Sequence, residues 1–295
     1  MKNYVSIDLG GTNIRVAIVD EKLNIVSALR ERSIHGDEDA LYEQIKKLLS
    51  ELIKSYKGEE PLKYVGICAA GFCEDGVLKY SPNLQIHYFD LAGMLRKDFP
   101  ALKFNLVNDA NCSALAEALY GAAKGTKCSF FYTISSGIGC GLINEGKLVD
   151  LPFEVGHNYI GYQGRFWDFE QLCSGNGLVH NLSKVNGLEV PDASTFFAKV
   201  AQGDKLAHKV YDDWLNLLGA SLANTQITYN PEIIILSGGV MKSSALFLED
   251  LKSVAVAFCA PFPVRHLRIA AAFFEQDTGI MGGTAVALAM EKEDK

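Results

Sequence analysis

The sequence predicts an α/β fold that contains a duplicated domain. Short apolar runs of strand length alternate with segments of helical periodicity through the 295 residues, which is typical of α/β proteins. Two glycine-rich hairpins of the same design, at 5–19 and 130–143, start about 125 residues apart. Each continues into a polar turn and a third short apolar run. A unit repeated in this way indicates a duplicated domain.

The first half is predicted to contain a run of strands, two buried strands and two helices. Three strands lie within residues 4–32, and a helix spans 39–57, where apolar side chains recur at helical spacing. Buried strands are predicted at 64–71 and 104–108. A helix over 110–123 follows, with small residues on one face that allow close packing.

The second half follows the same plan after its hairpin. Residues 151–180 are rich in glycine and aromatic residues without clear periodicity, so loops and short helices around a site are expected there. Helices are predicted within 194–229 and over 246–258 and 282–290, and a buried strand over 232–239.

Composition and charge exclude several classes of protein. The net charge is −7 and no run of basic residues occurs, so neither nucleic acid nor a membrane surface is an expected partner. No apolar stretch approaches the length of a membrane span, and the first residues do not form a secretory signal. The seven cysteines include no Cys-x-x-Cys pair, so reduced thiols in a cytoplasmic protein are expected.

The first hairpin turn contains an acid, two glycines and a threonine. Asp8 ends an apolar run, Gly10 and Gly11 follow, and Thr12 lies at the tip. Glycines let the backbone approach a ligand closely and adopt positive φ, and consecutive N–H groups with a hydroxyl suit phosphate oxygens. Asp8 could hold a magnesium ion through water. The alternative is an ordinary hairpin with a Gly-Gly turn.

The second hairpin turn repeats this chemistry. A strand ends at Ser135-Ser136, and glycines follow at positions 137, 139 and 141. Two such hairpins facing each other would hold a polyphosphate from both sides of a cleft. Neither turn is a P-loop, because no Gly-Lys-Ser/Thr follows. Neither is a dinucleotide fingerprint, because a strand rather than a helix comes next.

Asn108 and Asp109 lie where a buried strand meets a helix. Open α/β sheets bind ligands at the carboxyl ends of their strands, so Asp109 is well placed as a general base for a substrate hydroxyl. The Asn108 amide can donate and accept hydrogen bonds to neighbouring hydroxyls. The alternative is that these residues cap the helix, a position that favours Asn and Asp.

Three polar residues within 151–180, the region without clear periodicity, form a second candidate group. Glu154 and His157 are three residues apart and can converge on one ligand such as a sugar, although the spacing also suits one turn of a surface helix. Glu170 is a similar candidate, with an ordinary solvated side chain as the alternative.

Gly238 and Gly239 follow four apolar residues at the end of a predicted strand. A glycine pair at a strand end lets a planar ring lie against the backbone, and residues 277–283 are expected to complete that pocket. The alternative is a strand–helix turn with close helix packing.

Together these residues resemble the ROK family (repressor, open reading frame, kinase), in the sugar-kinase branch of the actin-like ATPase superfamily. The resemblance covers nearly the whole chain, and the joint order of the motifs is specific where each motif alone is weak. The motifs are Asp8-Leu-Gly-Gly-Thr-Asn13, Ser81-Pro-Asn-Leu84, Asn108-Asp-Ala-Asn111, Ser136-Gly-Ile-Gly139, Glu154-x-Gly-His157, Ser174-Gly175, Leu236-Ser-Gly-Gly239 and the glycine-rich terminal helix.

The resemblance implies duplicated actin-like (ribonuclease H-like) domains with a central cleft. The small N-terminal domain, 1–115, would lie on the sugar and phosphate side and would be joined by the C-terminal helix 283–295. The larger domain, 116–282, would bind the nucleotide and form a homodimer, since family members are commonly dimers or tetramers.

The resemblance also assigns roles to single residues. Asp109 would be the catalytic base toward the 6-hydroxyl of a sugar. The sugar would contact Gly71, Asn83, Asn108, Asp109, Glu154, His157 and Glu170. ATP and its Mg²⁺ would be bound by Asp8, Gly10, Gly11, Thr12, Asn13, Ser136, Gly137 and Gly139, with Gly238 and Gly239 flanking the adenosine. Such phosphoryl transfer depends on positioning and charge neutralisation.

One departure from the family pattern concerns zinc. The family usually has a structural zinc motif, Cys-x-Cys-Gly-x-x-Gly-Cys, shortly before the glutamate that matches Glu170. Here the cysteine positions hold Gly161, Gln163 and Asp168, which do not replace thiolate ligands. No zinc is therefore expected, and His157, a zinc ligand in the family, needs another anchor. The residues expected to pack the loop instead are Tyr159, Tyr162, Phe166 and Trp167.

The resemblance implies an ATP-dependent kinase of a hexose or N-acetylhexosamine, with glucose as the first choice and N-acetylmannosamine as the main alternative. Some family members are non-catalytic sugar-responsive regulators with an N-terminal helix-turn-helix, which this sequence does not show. A pure actin-like or chaperone-like ATPase is less consistent with the sequence, because the motifs beginning at Asn108 and Glu154 imply a second substrate that bears hydroxyl groups.

Overall fold

The chain forms two compact units. The computed structural model describes residues 2–149, 151, 153–260, 266–274 and 277–294. The first unit comprises residues 1–119, 150–152 and 276–295, and the second comprises residues 120–149 and 153–275. Among the helices of the described residues, none combines the length and the hydropathy that a membrane span requires.

The first unit is built on a five-stranded mixed sheet of order β3-β2-β1-β4-β8. Strand β1 is antiparallel to β2 and parallel to β4, and β5, β6 and β7 form a separate small sheet. The elements up to residue 120 are β1 (Asn3–Leu9), β2 (Asn13–Asp20), β3 (Ile25–Arg32), α1 (Glu38–Ser55), β4 (Tyr64–Ala69), β5 (Phe72–Glu74), β6 (Val77–Ser81), β7 (Ile86–Phe89), α2 (Leu91–Asp98), β8 (Lys103–Asn108) and α3 (Asp109–Tyr120).

Helix α1 confirms the predicted periodicity. Its N-cap is Asp37, whose side chain accepts a hydrogen bond from the Ala40 N–H at 2.9 Å. Such a cap satisfies one of the free N–H groups of the first turn. The helix packs an apolar face into the core of the first unit, and that face consists of Leu41, Ile45, Leu48, Leu49 and Leu52.

The second unit is built on a sheet of order β11-β10-β9-β14-β15. Its elements are β9 (Ser129–Ile134), β10 (Ile138–Asn144), β11 (Lys147–Leu148), a 3₁₀ turn (Val155–His157), β12 (Tyr159–Tyr162), β13 (Arg165–Asp168), α4 (Phe169–Cys173), α5 (Gly175–Gly177), a π turn (Leu178–Ser183), α6 (Ala193–Ala201), α7 (Lys205–Tyr229), β14 (Ile233–Ser237), a 3₁₀ segment (Gly239–Leu246), α8 (Leu248–Cys259) and β15 (Ile269–Ala271).

The two main sheets repeat one topology, which confirms the predicted duplication. In each, a hairpin of two antiparallel strands is extended by a third antiparallel strand on one side and by two parallel strands on the other. Each glycine turn therefore joins the first two strands of its own sheet. This arrangement confirms the α/β fold class.

The last helix, α9 (Thr278–Glu293), packs closely on β1 and β4 of the first unit. A Cβ on Gly66 would lie 1.9 Å from the Gly283 carbonyl oxygen, and one on Gly283 would lie 2.3 Å from Ser6 Oγ. The Ser6 hydroxyl donates to the Ile280 carbonyl at 2.8 Å. Glycine is thus required on both surfaces, and the contact fixes the N-terminus of α9 beside the end of β1.

Two small sheets differ from the sequence prediction. The β5–β7 sheet has no predicted counterpart, and the hairpin β12–β13 lies in the region where only loops and short helices are expected. Pro152 of that region lies outside the described residues. Each strand of the hairpin has only four residues, which is too short for a clear period of two. Gln163 and Gly164, with φ of 47° and 76°, form its turn.

Candidate functional site

The parallel strands of the first unit carry two carboxylates at one edge of the sheet. Asp8 on β1 is in register with Cys68 on β4, and Asp109 follows directly after β8. The pKa of the buried Cys68 thiol is raised, first by its hydrogen bond with Cys112 and by burial, and further by the charges of Asp8 and Asp109. Both carboxylates are therefore near enough to Cys68 for their charges to raise the pKa of its thiol.

Arg15 holds the Asp8 carboxylate in place and is itself bound by Asp277. Arg15 Nε donates to Asp8 Oδ2 at 2.9 Å, and its Nη1 donates to Asp277 Oδ1 at 2.7 Å. Burial raises the pKa of Asp8, and the Arg15 charge opposes that shift. A Cβ on Gly279 would lie 2.3 Å from Asp8 Oδ1. The first turn of α9 therefore has room for this carboxylate only because residue 279 is glycine.

The first glycine turn is fixed by its own backbone and by Ser33. The Gly10 N–H donates to the Asn13 carbonyl at 3.1 Å. Ser33 Oγ donates to the Gly10 carbonyl at 2.6 Å, and the Ser33 N–H donates to the Thr12 carbonyl at 3.1 Å. Thr12 is exposed at the tip. The carbonyl oxygens of Gly10, Thr12 and Asn13 thus accept the hydrogen bonds that hold the turn.

Gly11 is required by close packing rather than by its backbone conformation. A Cβ on Gly11 would lie 2.6 Å from Asn83 Cβ. Neither Gly10 nor Gly11 has a positive φ, so the positive φ expected of these glycines is not observed. His35 Nε2 lies 2.6 Å from the Gly11 carbonyl oxygen. Asn83, a predicted sugar residue, and Gly11, a predicted phosphate residue, are therefore direct neighbours.

Asn108 caps α3 and also binds the chain at Gly71. Its Oδ1 accepts from the Ala110 N–H at 2.9 Å, and its Nδ2 donates to the Gly71 carbonyl at 2.8 Å. Gly71 has φ of 145°, and a Cβ there would lie 2.5 Å from the Tyr80 carbonyl oxygen. The capping alternative thus describes Asn108, while Asp109 begins the helix, where a negative charge is favourable.

Glu170 is attached to the second glycine turn. Its Oε2 accepts from the Ile138 N–H at 2.7 Å. A Cβ on Gly137 would lie 2.5 Å from the same oxygen, and a Cβ on Gly156 would lie 2.6 Å from the Ile138 carbonyl oxygen. The glycines therefore allow the turn, the glutamate and the segment before His157 to pack against one another.

Glu154, His157 and Glu170 form one electrostatic group in the second unit. Burial raises the pKa of Glu154, the charge of Glu170 raises it further, and His157 opposes the shift. His157 ends the 3₁₀ turn, and its side chain is 60% exposed. Its Nδ1 lies 3.5 Å from Asp168 Oδ2. The structure thus brings together the three residues of 151–180 that were expected to contact a ligand.

A cavity of about 280 Å³ in the second unit lies between the second glycine turn and the glycine pair after β14. Gly238 has φ of 98°, and a Cβ there would lie 2.4 Å from the Ile134 carbonyl oxygen. Gly239 lines the cavity with Ser136, and no atom lies within 4 Å of a Cβ placed on it. The backbone at Gly239 therefore offers an open surface.

Sequence patterns did not identify every residue of these clusters. Arg15 was missed, although it lies opposite Asp8 in the antiparallel register of the first hairpin, so counting residues around the turn would have found it. Asp277 was expected to complete the glycine pocket, but it binds Arg15 within the first unit. Asp168 was noted only for occupying a cysteine position.

The residues around His157 do not fit a structural zinc site. Such sites take four thiolate or imidazole ligands, with an occasional carboxylate. Of the positions concerned, only His157 and Asp168 have side chains of the usual ligand types. In the part of the chain that the structure describes, no group of three or more His, Cys, Asp or Glu side chains could hold a metal ion.

The repeated sheets define the actin-like ATPase fold, and comparison with known proteins identifies the family. The ROK family model matches residues 4–291. The chain therefore belongs to the ROK family. Two curated relatives are a glucokinase of Thermotoga maritima, 27% identical over 96% of each chain, and an N-acetylmannosamine kinase of Salmonella paratyphi A, 26% identical over 96% of this chain and 97% of the relative.

Solved structures share the fold. A ROK hexokinase from Thermus thermophilus has a TM-score of 0.82 and 23% identity, covering 99% of this chain and all of the other. A ROK family transcriptional regulator, a homologue of the E. coli Mlc protein, has a TM-score of 0.83 and 20% identity, covering 97% of this chain and 77% of the regulator. The fold is thus common to enzymes and to regulators of the family.

Proposed function

We propose that this protein is an ATP-dependent kinase of a hexose or N-acetylhexosamine, with the 6-hydroxyl as acceptor and Asp109 as general base. The observation that carries the proposal is Asp109 at the carboxyl end of β8, at the same sheet edge as Asp8. A carboxylate there can take the hydroxyl proton as the oxygen attacks a phosphoryl group. The names of the curated relatives support this class of reaction.

We assign binding of the sugar to the residues that the family resemblance indicates. Asn108 keeps one amide hydrogen for a sugar hydroxyl, because its other contacts hold it on Gly71 and α3. Glu154 and His157 supply an acceptor and an imidazole for further hydroxyls, and Glu170 supplies its second carboxylate oxygen. Gly71 and Asn83 complete the proposed sugar site.

We assign binding of the ATP phosphates to the two glycine turns. The residues are Gly10, Gly11, Thr12 and Asn13 in the first turn and Ser136, Gly137 and Gly139 in the second. Mg²⁺ usually takes one or two carboxylates together with substrate phosphates and waters, and the single carboxylate of Asp8 fits that use. When bound, the ion would neutralise phosphate charge, and Arg15 would keep Asp8 ionised beside it.

The cavity beside Gly238 and Gly239 is the proposed site of the adenosine. The open backbone at Gly239 would let a planar base lie against it, and the exposed Ser136 hydroxyl is within the same cavity. The remaining features of the proposal are a homodimer formed through the second unit and a cytoplasmic protein without nucleic-acid or membrane partners. The seven free cysteines fit that compartment.

N-acetylmannosamine kinase activity is the alternative substrate assignment, supported by relatives of that name at similar identity. A non-catalytic sugar-responsive regulator is the second alternative, since a regulator shares the fold. Substrate choice depends on the shape of the pocket around the acetamido position, and a regulator would bind sugar without turning over ATP.

The test is sugar-dependent release of ADP across glucose, mannose, fructose, allose, N-acetylglucosamine and N-acetylmannosamine. Asp109→Asn should lower kcat by at least about 100-fold, because the general base is lost. Asp90→Asn is the matched control: Asp90 also stands at a helix start in the first unit, and Asn preserves its cap. Release of ADP with no sugar dependence, or equal kcat for Asp109→Asn and Asp90→Asn, would contradict the proposal.

A further inference from the structure

The His157 imidazole faces a carboxylate at a position where the ROK family pattern has a cysteine. Its Nδ1 lies 3.5 Å from Asp168 Oδ2, and Asp168 occupies the last of the three positions where the family pattern has cysteine. We infer that Asp168 is a positioning residue that orients the His157 imidazole for the sugar, an inference that rests on the proposed function.

The backbone holds Asp168 opposite the segment of His157. Asp168 ends β13, where it is paired with Tyr159 across the hairpin. The next residue, Phe169, donates its N–H to the Asn158 carbonyl at 2.8 Å. The 3₁₀ turn is itself closed by the His157 N–H, which donates to the Glu154 carbonyl at 3.0 Å. Both ends of the pair are therefore anchored by backbone hydrogen bonds, and the carboxylate is shielded, with 28% of its side chain exposed.

A carboxylate and a zinc ion orient an imidazole in opposite senses. Zinc takes the lone pair of one ring nitrogen and leaves an N–H on the other, which can only donate. Asp168 faces Nδ1 and favours the hydrogen at that nitrogen, so that Nε2 of the neutral ring keeps its lone pair. In this chain His157 would therefore accept a hydrogen bond from a sugar hydroxyl through Nε2.

The hairpin that holds Asp168 is anchored by side chains of the second unit. The Tyr162 hydroxyl donates to Asp213 Oδ2 at 2.6 Å and accepts from Asn186 Nδ2 at 2.7 Å. Arg165 lies over the Trp167 ring, 3.9 Å from its centroid. The inward face of the hairpin also packs Trp167 against the core of the second unit. These contacts connect β12 to α7 and β13 to the core of the second unit, so side chains other than thiolates hold the segment.

The first experiment uses ¹⁵N-histidine-labelled full-length protein without added metal. Two-bond ¹H–¹⁵N spectra at about pH 8, where a free imidazole is neutral, report which ring nitrogen has the hydrogen, and His157→Ala assigns the signal. We expect the Nδ1–H tautomer in the wild type and a shift toward the Nε2–H tautomer in Asp168→Ala. A wild-type ring in the Nε2–H form, or no change on substitution, would overturn the inference.

The second experiment separates positioning from stability. Asp168→Ala should raise the KM for the sugar about 10-fold or more, the usual scale for loss of an outer-shell partner, with the KM for ATP and the unfolding temperature unchanged. Asp168→Asn keeps an oxygen near Nδ1 and should recover part of the loss. The exposed Asp212 in the same unit gives the matched control, Asp212→Ala.

A double variant tests whether Asp168 acts through His157. If it does, His157→Ala and the His157→Ala/Asp168→Ala double variant have the same KM for the sugar, because the second change has nothing left to orient. Independent, additive effects would contradict the inference, as would stoichiometric zinc in the purified protein. If the wild type turns over no sugar, the proposed function fails, whereas the NMR spectrum still decides the pairing.

Discussion

Glu170 Oε2 accepts a hydrogen bond of 2.7 Å from the backbone N–H of Ile138. A side chain proposed to bind the sugar is thereby attached to the turn proposed to bind phosphate. The contact is close enough that a side chain at Gly137 would collide with the carboxylate. The proposed sugar contact and the shape of the proposed phosphate turn are therefore coupled within the second unit.

Two substitutions at Glu170 should separate these roles. Glu170→Gln keeps an acceptor for the Ile138 N–H, so we expect a higher KM for the sugar with the KM for ATP nearly unchanged. Glu170→Ala removes the acceptor and should raise both KM values, the ATP value by about 5-fold or more. Steady-state kinetics with each substrate varied in turn measures this. Equal KM values for ATP in the two variants would contradict the coupling.

Gly279→Ala should damage the Asp8 site. An ordinary Gly→Ala change in a helix stabilises by about 1 kcal/mol, but here the new Cβ would lie 2.3 Å from Asp8 Oδ1. We expect a lower free energy of unfolding and a kcat reduced about 10-fold or more, because the carboxylate must move. Urea unfolding and kinetics measure both effects. Gly161→Ala, where no atom lies within 4 Å of the new Cβ, is the control.

Arg15→Met should change the dependence of activity on pH. Burial raises the pKa of Asp8 and Arg15 opposes the shift, so loss of the guanidinium raises that pKa further. If ionised Asp8 is needed, the acidic limb of the kcat/KM profile moves to higher pH. The same pKa shift affects stability. Because the pKa of Asp8 is higher in the folded state than the unfolded value of 3.8, the folded state binds the proton more tightly. The free energy of unfolding therefore falls as pH rises from 3.8 through the folded-state pKa. An acidic limb unmoved relative to the exposed control Arg268→Met would refute this account.

Gly71→Ala should disturb Asn108 through the backbone. The new Cβ would lie 2.5 Å from the Tyr80 carbonyl oxygen at a φ of 145°, so the Gly71 carbonyl must leave its hydrogen bond with Asn108. We expect a loss of about 1–3 kcal/mol of stability and a higher KM for the sugar. Gly76 also has a positive φ, but a Cβ there would meet no close contact. Gly76→Ala therefore measures the effect of backbone strain alone. Similar KM values for the two variants would show that Asn108 does not depend on Gly71.

The sequence predicted the features that depend on local pattern. The turns at Gly10-Gly11 and 137–139 lie between runs of strand residues, and their repetition was enough to predict duplicated sheets. The Arg15–Asp277 pair joins residues 262 positions apart, and no local pattern indicates such a contact. The β12–β13 hairpin escaped prediction because its strands are short and its inward face packs Ile160, Tyr162 and Trp167 against a core formed by distant elements.

Asn108 makes a hydrogen bond that its local sequence does not specify. The sequence allows this residue to be a helix cap or a ligand contact. In the structure its Oδ1 caps α3, and its Nδ2 donates to the Gly71 carbonyl. A motif at a strand end thus predicts where a side chain lies, but the hydrogen bonds it makes depend on residues such as Gly71 that the local pattern does not specify.

The most direct measurement is ADP release with the best sugar of the panel compared with its 6-deoxy analogue, at equal concentrations and with ATP and Mg²⁺. We expect turnover with the sugar and only background release with the analogue, because Asp109 then has no 6-hydroxyl to deprotonate. Equal release with both compounds, or with no sugar at all, would contradict a kinase that phosphorylates the 6-hydroxyl.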